Sequence, residues 1–273
     1  MVKATNTTGP PDFIGVGAQR SGTTWWFRTL SGHPEIRPAH GRRRAKQKEL
    51  HFFDRFGARE LTDADIAEYH ALFPRKPGQI AGECTPRYMR DVWVAPLLRR
   101  AAPDAKLIVM LRDPVERYRS GVQHQLTRTP QRLPERLASD AVERGRYALQ
   151  LERLQAFFPP ERILVLQYEQ CRQDAPGQFR RTLRFLGVDE GYDPADLHQA
   201  RGTTTEAKKD VLWQDLYRAL QGALEPQVQQ LAALVPDLDL ALWPNFAHLA
   251  TGGAPPREDP RAHRQSPAPT SRA

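Results

Sequence analysis

The chain has 273 residues, of which 40% are hydrophobic, so it can form one large domain or two small ones with a substantial core. The 40 Lys and Arg residues outnumber the 32 Asp and Glu residues, which gives a net charge of +8 and keeps nucleic acid and small anionic substrates open as partners. Two cysteines exclude a disulfide framework, and no Cys/His cluster has the spacing of a zinc site.

The first predicted element is a buried strand that follows a flexible lead over residues 1–11. Phe13, Ile14 and Val16 form its short apolar run. The polar lead lacks the apolar region of a secretory signal. No stretch approaches the roughly 20 apolar residues of a membrane span. We therefore expect a soluble, reduced, cytoplasmic protein.

A glycine-bracketed turn follows this strand and leads into a helix predicted from about Thr24 to Gly32. Gly17 and Gly22 have the spacing of a nucleotide phosphate loop, in which Lys is expected where Thr23 stands. A strand, a glycine loop and a helix N-terminus bring backbone N–H groups together and favour an anion. The cation of this loop is Arg20, inside the turn.

Residues 37–48 are crowded with cations, and the pattern fits either a solvated loop or a basic rim that attracts an anionic ligand. In residues 48–54 charged side chains alternate with large apolar ones, which predicts that Phe52 and Phe53 pack into the core. Further on, a helix is expected over 62–73, a short strand over 80–83 and a helix over 93–100.

The clearest buried strand is 106–111, whose apolar run suits a parallel sheet that is covered on both faces. Asp113 and Pro114 come next and predict the N-cap and first residue of a helix. A helical region over 133–157, a strand over 163–167 and helices over 179–186 and 206–235 complete the pattern, before a tail over 251–273 that is predicted to be disordered.

The alternation of strands and helices predicts a single α/β domain over residues 12–250 with a mostly parallel sheet flanked by helices. Ligands bind outside the carboxyl ends of the strands in such sheets. Arg20, Arg112 and Tyr168 each follow a predicted strand, so we expect them on one edge.

Three classes of function fit these residues. A metal-dependent kinase-like phosphotransferase lacks its loop Lys, and Asp113 is explained by capping. A basic polyanion- or nucleic-acid-binding protein fits the charge, but no recognised nucleic-acid motif is present. Sulfuryl transfer fits best, because the sulfuryl group carries less negative charge than a phosphoryl group, and loop N–H groups with side-chain cations suffice without a metal.

The segment Gly17-Ala-Gln-Arg-Ser-Gly-Thr-Thr-Trp25 resembles the 5′-phosphosulfate loop of sulfotransferases that use 3′-phosphoadenosine-5′-phosphosulfate (PAPS). Residues 107–120 are similar to the 3′-phosphate motif of that family, and Lys48-Glu-Leu-His-Phe-Phe-Asp54 resembles a segment of its heparan-type members. The resemblance covers most of residues 12–246. It implies the three-layer sandwich of P-loop NTPases, a PAPS co-substrate and no metal.

The same resemblance implies roles for single residues. Arg112 and Ser120 would hold the 3′-phosphate, and Tyr168 would approach the adenine. Lys48 would neutralise the leaving oxygen, and Glu49 or His51 would take the acceptor proton. The 5′ groups would be held by loop residues, namely Arg20, Ser21, Gly22, Thr23, Thr24 and Trp25. A turn on the acceptor side would contribute Glu83 and Tyr88, and a late loop over the donor would contribute Arg201 and Gly202.

The acceptor stays open at this point. Glycan, lipid, peptide and small natural-product hydroxyls all fit the residues, an amine fits less well, and the basic rim does not require a charged acceptor. No specific nucleic-acid partner and no membrane-spanning segment are expected, and the sequence leaves the oligomeric state undetermined.

Overall fold

The computed structural model describes residues 6–40, 48–128, 140, 142–195, 197 and 214–250. The strands of this part of the chain are β1 (Phe13–Gly17), β2 (Ile36–Pro38), β3 (Ile80–Cys84), β4 (Lys106–Leu111) and β5 (Ile163–Gln167). The helices are α1 (Thr23–Leu30), α2 (Asp63–His70), α3 (Val94–Ala101), α4 (Pro114–Arg128), α5 (Tyr147–Gln155), α6 (Tyr168–Gln173), α7 (Ala175–Leu186) and α8 (Gln214–Leu234).

The described strands form one five-stranded sheet of order β2-β3-β1-β4-β5, and all its neighbouring pairs are parallel. β1 lies at its centre, between β3 and β4, and the chain crosses from one half of the sheet to the other there. All five strands end at the same edge. This edge is where a ligand site is expected in an open parallel sheet.

Apolar side chains cover both faces of the sheet, as the unbroken run in β4 predicts. Leu107, Val109 and Leu111 belong to the core beneath α3, α5 and α8. Ile108 and Met110 point to the opposite face and pack with residues of α1 and α7. The prediction of an α/β sheet covered by helices on both sides is therefore confirmed.

Local signals fix several helix boundaries. Asp113 accepts hydrogen bonds from the N–H groups of Val115 and Glu116 through its Oδ1, and α4 begins at Pro114. Gly187 ends α7 with φ of +81°, in the left-handed region that glycine adopts without strain. The predicted strand over 163–167 matches β5.

Other expectations need correction. β2 is not among the predicted strands and overlaps the start of the basic stretch over 37–48, because three residues that end in proline carry little strand signal. In the predicted flexible lead, Thr7 pairs with Arg75 in an antiparallel bridge. The predicted tail over 251–273 lies outside the described residues, and the domain limits stay predictions.

Candidate active site

A cleft of about 650 Å³ opens at the carboxyl edge of the sheet. Its wall combines residues that were predicted as site residues from four separate stretches of chain, 20–25, 48–51, 112–120 and 168. These are Arg20, Gly22, Thr23, Thr24, Trp25, Lys48, Glu49, His51, Arg112, Ser120 and Tyr168. The expectation that the strand ends bring Arg20, Arg112 and Tyr168 to one edge agrees with this placement.

The glycine loop enters the cleft because the backbone turns sharply at two residues. Arg20 has φ of +68° and Gly22 has φ of +90°. A Cβ atom on Gly22 would lie 2.6 Å from the ring of Tyr168, so the loop approaches this ring more closely than any side chain would allow. The amino end of α1 consequently faces the cleft, and its dipole favours an anion there. Ser21 is fully buried within the loop and does not line the cleft.

Arg112 lines the cleft as well and lies over the ring of Tyr168. Its guanidinium lies 5.1 Å from the centre of the Tyr168 ring, and its Nη2 is 3.7 Å from Glu116 Oε2. The hydroxyl of Tyr147 donates to the carbonyl of Arg112 at 3.0 Å. A planar guanidinium held in this way suits bidentate contact with a phosphate.

Arg20 turns toward α4. Its Nε and Nη2 donate to Ser120 Oγ at 3.3 and 3.1 Å. Desolvation and the neighbouring charge of Arg112 lower the pKa of Arg20. Two guanidinium groups therefore stand close together in the cleft, an arrangement that an anion bound between them would stabilise.

The cation nearest the start of α1 comes from elsewhere in the chain. Lys48 Nζ lies 3.4 Å from Thr23 Oγ1, at the position where a nucleotide phosphate loop would carry its own Lys. The same ammonium group is 2.7 Å from Glu49 Oε1. Lys48 therefore supplies, together with Arg20, the positive charge that the missing loop lysine would carry.

Glu49 begins a chain of acid and imidazole groups on the cleft wall. Glu49 Oε2 is 3.2 Å from His51 Nε2, and His51 Nδ1 is 2.9 Å from Asp54 Oδ2. Asp54 in turn lies 3.7 Å from Arg87 Nε. The Glu49 side chain is 36% exposed, so a substrate hydroxyl can reach it.

A network of buried hydrogen bonds supports the backbone of residues 50–53. Glu83 Oε2 accepts from Thr85 Oγ1 at 2.6 Å, and Thr85 Oγ1 accepts from the N–H of Leu50 at 3.0 Å. The hydroxyl of Tyr88 accepts from the N–H of Phe52 at 2.9 Å. Burial raises the pKa of Glu83 to about 7, although hydrogen bonds from its neighbours oppose the shift.

This geometry corrects the interpretation of Glu83 and Tyr88 as acceptor contacts. Their side chains are 0% and 1% exposed, and neither lines the cleft. They carry the backbone of residues 50–53 instead, because a buried carboxyl group and a buried phenol must find hydrogen-bond partners among neighbouring polar groups. Phe52 and Phe53 are buried in the core, as predicted.

The cleft also contains polar residues that the sequence analysis did not assign to a site. Arg117, His124 and Gln125 lie on α4 near Ser120, and their helical spacing is a signal that could have revealed them. Gln19 accepts from Arg144 at 2.7 Å, and Arg144 pairs with Asp140 at 2.9 Å. No local pattern marks Arg144 or Asp140, since their positions follow from the tertiary fold.

Two predicted contacts, Arg201 and Gly202, lie outside the described residues, as does most of the basic stretch over 37–48. Among the residues that the structure describes, no group of three or more His, Cys, Asp or Glu side chains could hold a metal ion. No helix in the described ranges is long and apolar enough to cross a membrane.

The class of protein follows from comparison with known families. Residues 10–211 match the family model described as "Sulfotransferase domain". The chain therefore belongs to the sulfotransferase family, and the resemblance drawn from its motifs is confirmed at that level.

Two similar proteins refine this membership. A sulfotransferase structure from Alicyclobacillus acidocaldarius is 26% identical, with a TM-score of 0.67 over 85% of this chain and 98% of that one. The heparan sulfate glucosamine 3-O-sulfotransferase 6 of Mus musculus is 32% identical over 191 residues, which are 65% of this chain and 52% of that protein. The chain thus spans about half the length of the curated relatives it matches.

The predicted cytoplasmic location is wrong by these comparisons. The relatives include enzymes named for heparan sulfate and the "Membrane-associated sulfotransferase kil1" of Dictyostelium discoideum, which is 38% identical over 109 residues, 39% of this chain and 21% of that protein. These names point away from the cytoplasm. The prediction rested on a polar lead, the lack of a membrane-spanning stretch and the small number of cysteines, and none of these features determines the compartment.

Proposed function

We propose that this chain transfers a sulfuryl group from PAPS to a hydroxyl group of a saccharide acceptor. The observation that carries the proposal is one cleft in which Arg20, Arg112 and Lys48 meet the Glu49–His51 pair. The three cations Arg20, Arg112 and Lys48 suit a donor with phosphates at two positions. The Glu49–His51 pair suits removal of a proton. Membership in the sulfotransferase family supports the same reaction.

The donor would lie between the loop and α4. Backbone N–H groups at the start of α1, with Thr23, Thr24 and Lys48, suit the 5′-phosphosulfate. Arg112 and Ser120 suit the 3′-phosphate, because a guanidinium fork and a hydroxyl can both donate to its oxygens. Tyr168 offers an aromatic face to the adenine. Arg201 and Gly202 complete this assignment as the family resemblance implies, and Trp25 forms part of the wall.

The transfer itself needs a base and a charge acceptor. Glu49 takes the proton of the acceptor hydroxyl while the oxygen of that hydroxyl forms a bond to sulfur. The bond between sulfur and the bridging phosphate oxygen breaks in line, and Lys48 offsets the charge that develops on that oxygen. His51, held by Asp54, orients the Glu49 carboxylate. The products are the sulfate ester and adenosine 3′,5′-bisphosphate.

A saccharide acceptor fits the polar side of the cleft. Gln19, His124, Gln125, Asp140 and Arg144 provide donors and acceptors of hydrogen bonds there. Such a wall suits a polyhydroxylated acceptor better than a phenol or a steroid, since buried polar groups need partners. The names of the relatives, which specify glucosamine in heparan sulfate, support the same class.

A kinase-like reaction is less consistent with these contacts. Asp113, the candidate for a metal ligand, uses Oδ1 to cap α4 and Oδ2 to accept from the N–H and Nδ2 of Asn245, at 3.0 and 2.8 Å. Its carboxylate is fully buried and does not line the cleft.

The proposal is tested in two steps with purified protein. We expect adenosine 3′,5′-bisphosphate to raise the melting temperature in EDTA, and ATP with Mg²⁺ to raise it less. Labelled sulfate should then pass from PAPS to glycan acceptors in a panel that also contains 4-nitrophenol and a sterol. Stabilisation by ATP with Mg²⁺ alone would favour the kinase-like function, and salt-sensitive binding of random duplex DNA without nucleotide binding would favour the polyanion-binding function.

A further inference from the structure

Two carboxyl groups, of Asp113 (fully buried) and Glu169 (half-buried), lie behind the cleft, where the proposed reaction does not use them. Asp113 is 0% exposed, and Glu169 follows the cleft residue Tyr168. Burial is the main cause that raises the pKa of both, to about 7 for Glu169. Burying two acids close together costs free energy, so the hydrogen bonds they form must offset that cost.

Glu169 joins two parts of the chain that are far apart in sequence. Its Oε1 accepts from the N–H of Asp113 at 3.1 Å, directly after Arg112. Its Oε2 accepts from the indole Nε1 of Trp243 at 2.9 Å. The turn that carries Arg112 is thus tied to the residue that follows Tyr168 and to the chain near position 243.

Residues 239–245, which we call the docking segment, are tied to this turn at three points. Asp239 exchanges two hydrogen bonds with the side chain of Gln167, at 2.8 and 3.0 Å. Trp243 is fully buried against Tyr147, the residue that donates to the carbonyl of Arg112. Asn245 donates twice to Asp113 Oδ2. The docking segment lies beyond the residues 10–211 that match the family model.

We propose that Glu169 is a positioning residue for donor recognition, and that the docking segment completes the 3′-phosphate site through it. The inference rests on the proposed function, since it assigns the 3′-phosphate to Arg112. Glu169 fixes the turn that places the Arg112 guanidinium, and through its neighbour it fixes the Tyr168 ring beneath that guanidinium. The docking segment therefore controls selectivity for a 3′-phosphorylated nucleotide without touching it.

The test measures affinities for adenosine 3′,5′-bisphosphate and adenosine 5′-monophosphate in Trp243→Phe. This variant removes the donor to Glu169 Oε2 and leaves every cleft residue in place. We expect the preference for the bisphosphate to fall about tenfold, the change that 1.4 kcal/mol of binding free energy produces. The KM for PAPS should rise, while kcat at saturating PAPS changes little.

The matched control is Thr182→Val. Thr182 Oγ1 accepts from the indole Nε1 of Trp26 at 3.1 Å, a second buried indole bond whose two side chains do not line the cleft. This variant should lower the melting temperature and keep the nucleotide preference. Asn245→Ala is a milder second probe, because the backbone N–H of residue 245 still donates to Asp113.

Each outcome decides the inference. Loss of the preference in Trp243→Phe and Asn245→Ala, with retention in Thr182→Val, supports it. A preference that survives in both probes while their melting temperatures fall reduces the docking segment to a structural role and overturns it. Wild-type protein that does not prefer the bisphosphate would overturn the proposed function, and this inference with it.

Discussion

At the scale of single residues, Glu49 is the side chain on which the proposed chemistry depends. Lys48 holds one of its oxygens and His51 the other. These two contacts orient the carboxylate, which is 36% exposed and stays accessible from the cleft. The proposed reaction gives proton removal to Glu49 and orientation to His51, the two residues between which the motif alone left the choice open.

The first prediction concerns Glu49→Gln. The amide keeps the size of the side chain and cannot accept a proton, so kcat should fall by about 10²- to 10⁴-fold, the usual contribution of a general base. The Kd of adenosine 3′,5′-bisphosphate, measured by calorimetry, should stay within a few-fold of the wild-type value. Glu60→Gln, on the surface, is the control. Loss of nucleotide binding in Glu49→Gln would mean that this carboxylate holds the donor site together.

A second prediction at this scale concerns Arg112→Lys. Lysine keeps the charge and loses the planar fork, so a bidentate phosphate contact becomes a single one. We expect weaker binding of adenosine 3′,5′-bisphosphate by about tenfold, equivalent to about 1.4 kcal/mol, with unchanged binding of adenosine 5′-monophosphate. Arg153→Lys on α5 is the control. Equal losses for the two nucleotides would contradict the assignment of Arg112 to the 3′-phosphate.

Residue-scale prediction from the sequence succeeded where a motif fixes the backbone. Arg20, Arg112, Ser120 and Tyr168 reached one cleft because each follows a strand end or lies on the helix after it. The prediction failed for Glu83 and Tyr88. Their motif indicates that this turn lies near the acceptor side, but not whether the side chains point to the cleft or into the core.

At the scale of elements, the decisive contact is between the glycine loop and the start of α6. The loop can pass over Tyr168 only because Gly22 has no side chain. Gly78 offers a natural comparison, since it also has a positive φ, of +79°, but no atom lies within 4 Å of the place where its Cβ would be.

The third prediction compares Gly22→Ala with Gly78→Ala. Both variants force alanine into a left-handed backbone, which should cost about 1 kcal/mol of unfolding free energy, measured in urea, and Gly22→Ala should lose more because its Cβ meets the Tyr168 ring. Only Gly22→Ala pushes against the Tyr168 ring, so only this variant should also lose nucleotide affinity, by tenfold or more. Full affinity in Gly22→Ala would show that the ring moves aside without consequence for the donor.

Elements were predictable from sequence in proportion to their apolar signal. The apolar runs of β4 and β5 and the Asp-Pro pair at the start of α4 predict these elements from the local sequence alone. β2 has three residues and a proline, so it exists because β3 pairs with it. The docking segment has no periodic pattern, and its position follows from hydrogen bonds to Gln167, Asp113 and Glu169 that only the folded chain provides.

At the scale of the whole molecule, buried acids make stability depend on pH. Glu83 is fully buried, and its pKa is raised from 4.5 to about 7. Between these two values the unfolded chain loses the proton while the folded chain keeps it. Stability is therefore complete below about pH 4.5 for this group and falls as pH rises to about 7. Glu169 has a pKa raised to about 7 and acts in the same direction.

The fourth prediction is that Glu83→Gln flattens this dependence. The amide cannot ionise, and it can still accept a hydrogen bond from Thr85. Urea unfolding of the wild type should show a decrease in unfolding free energy between pH 5 and pH 7, of which Glu83 contributes up to ~3 kcal/mol at 1.4 kcal/mol per pKa unit. A variant with the same slope as the wild type would show that Glu83 titrates normally in the fold.

The position of Lys48 has a consequence for any attempt to separate donor binding from acceptor activation. Its ammonium group lies between Thr23 at the head of α1 and the Glu49 carboxylate, within 3.4 and 2.7 Å. In the proposed reaction, the single charge of Lys48 would therefore act both on the donor and on the base. In a double-mutant cycle, substitutions at 48 and 49 will not add, because the charge removed by the first is already part of what the second measures. If separate free energies were assigned to the donor and to the acceptor, the contribution of Lys48 would be counted in both.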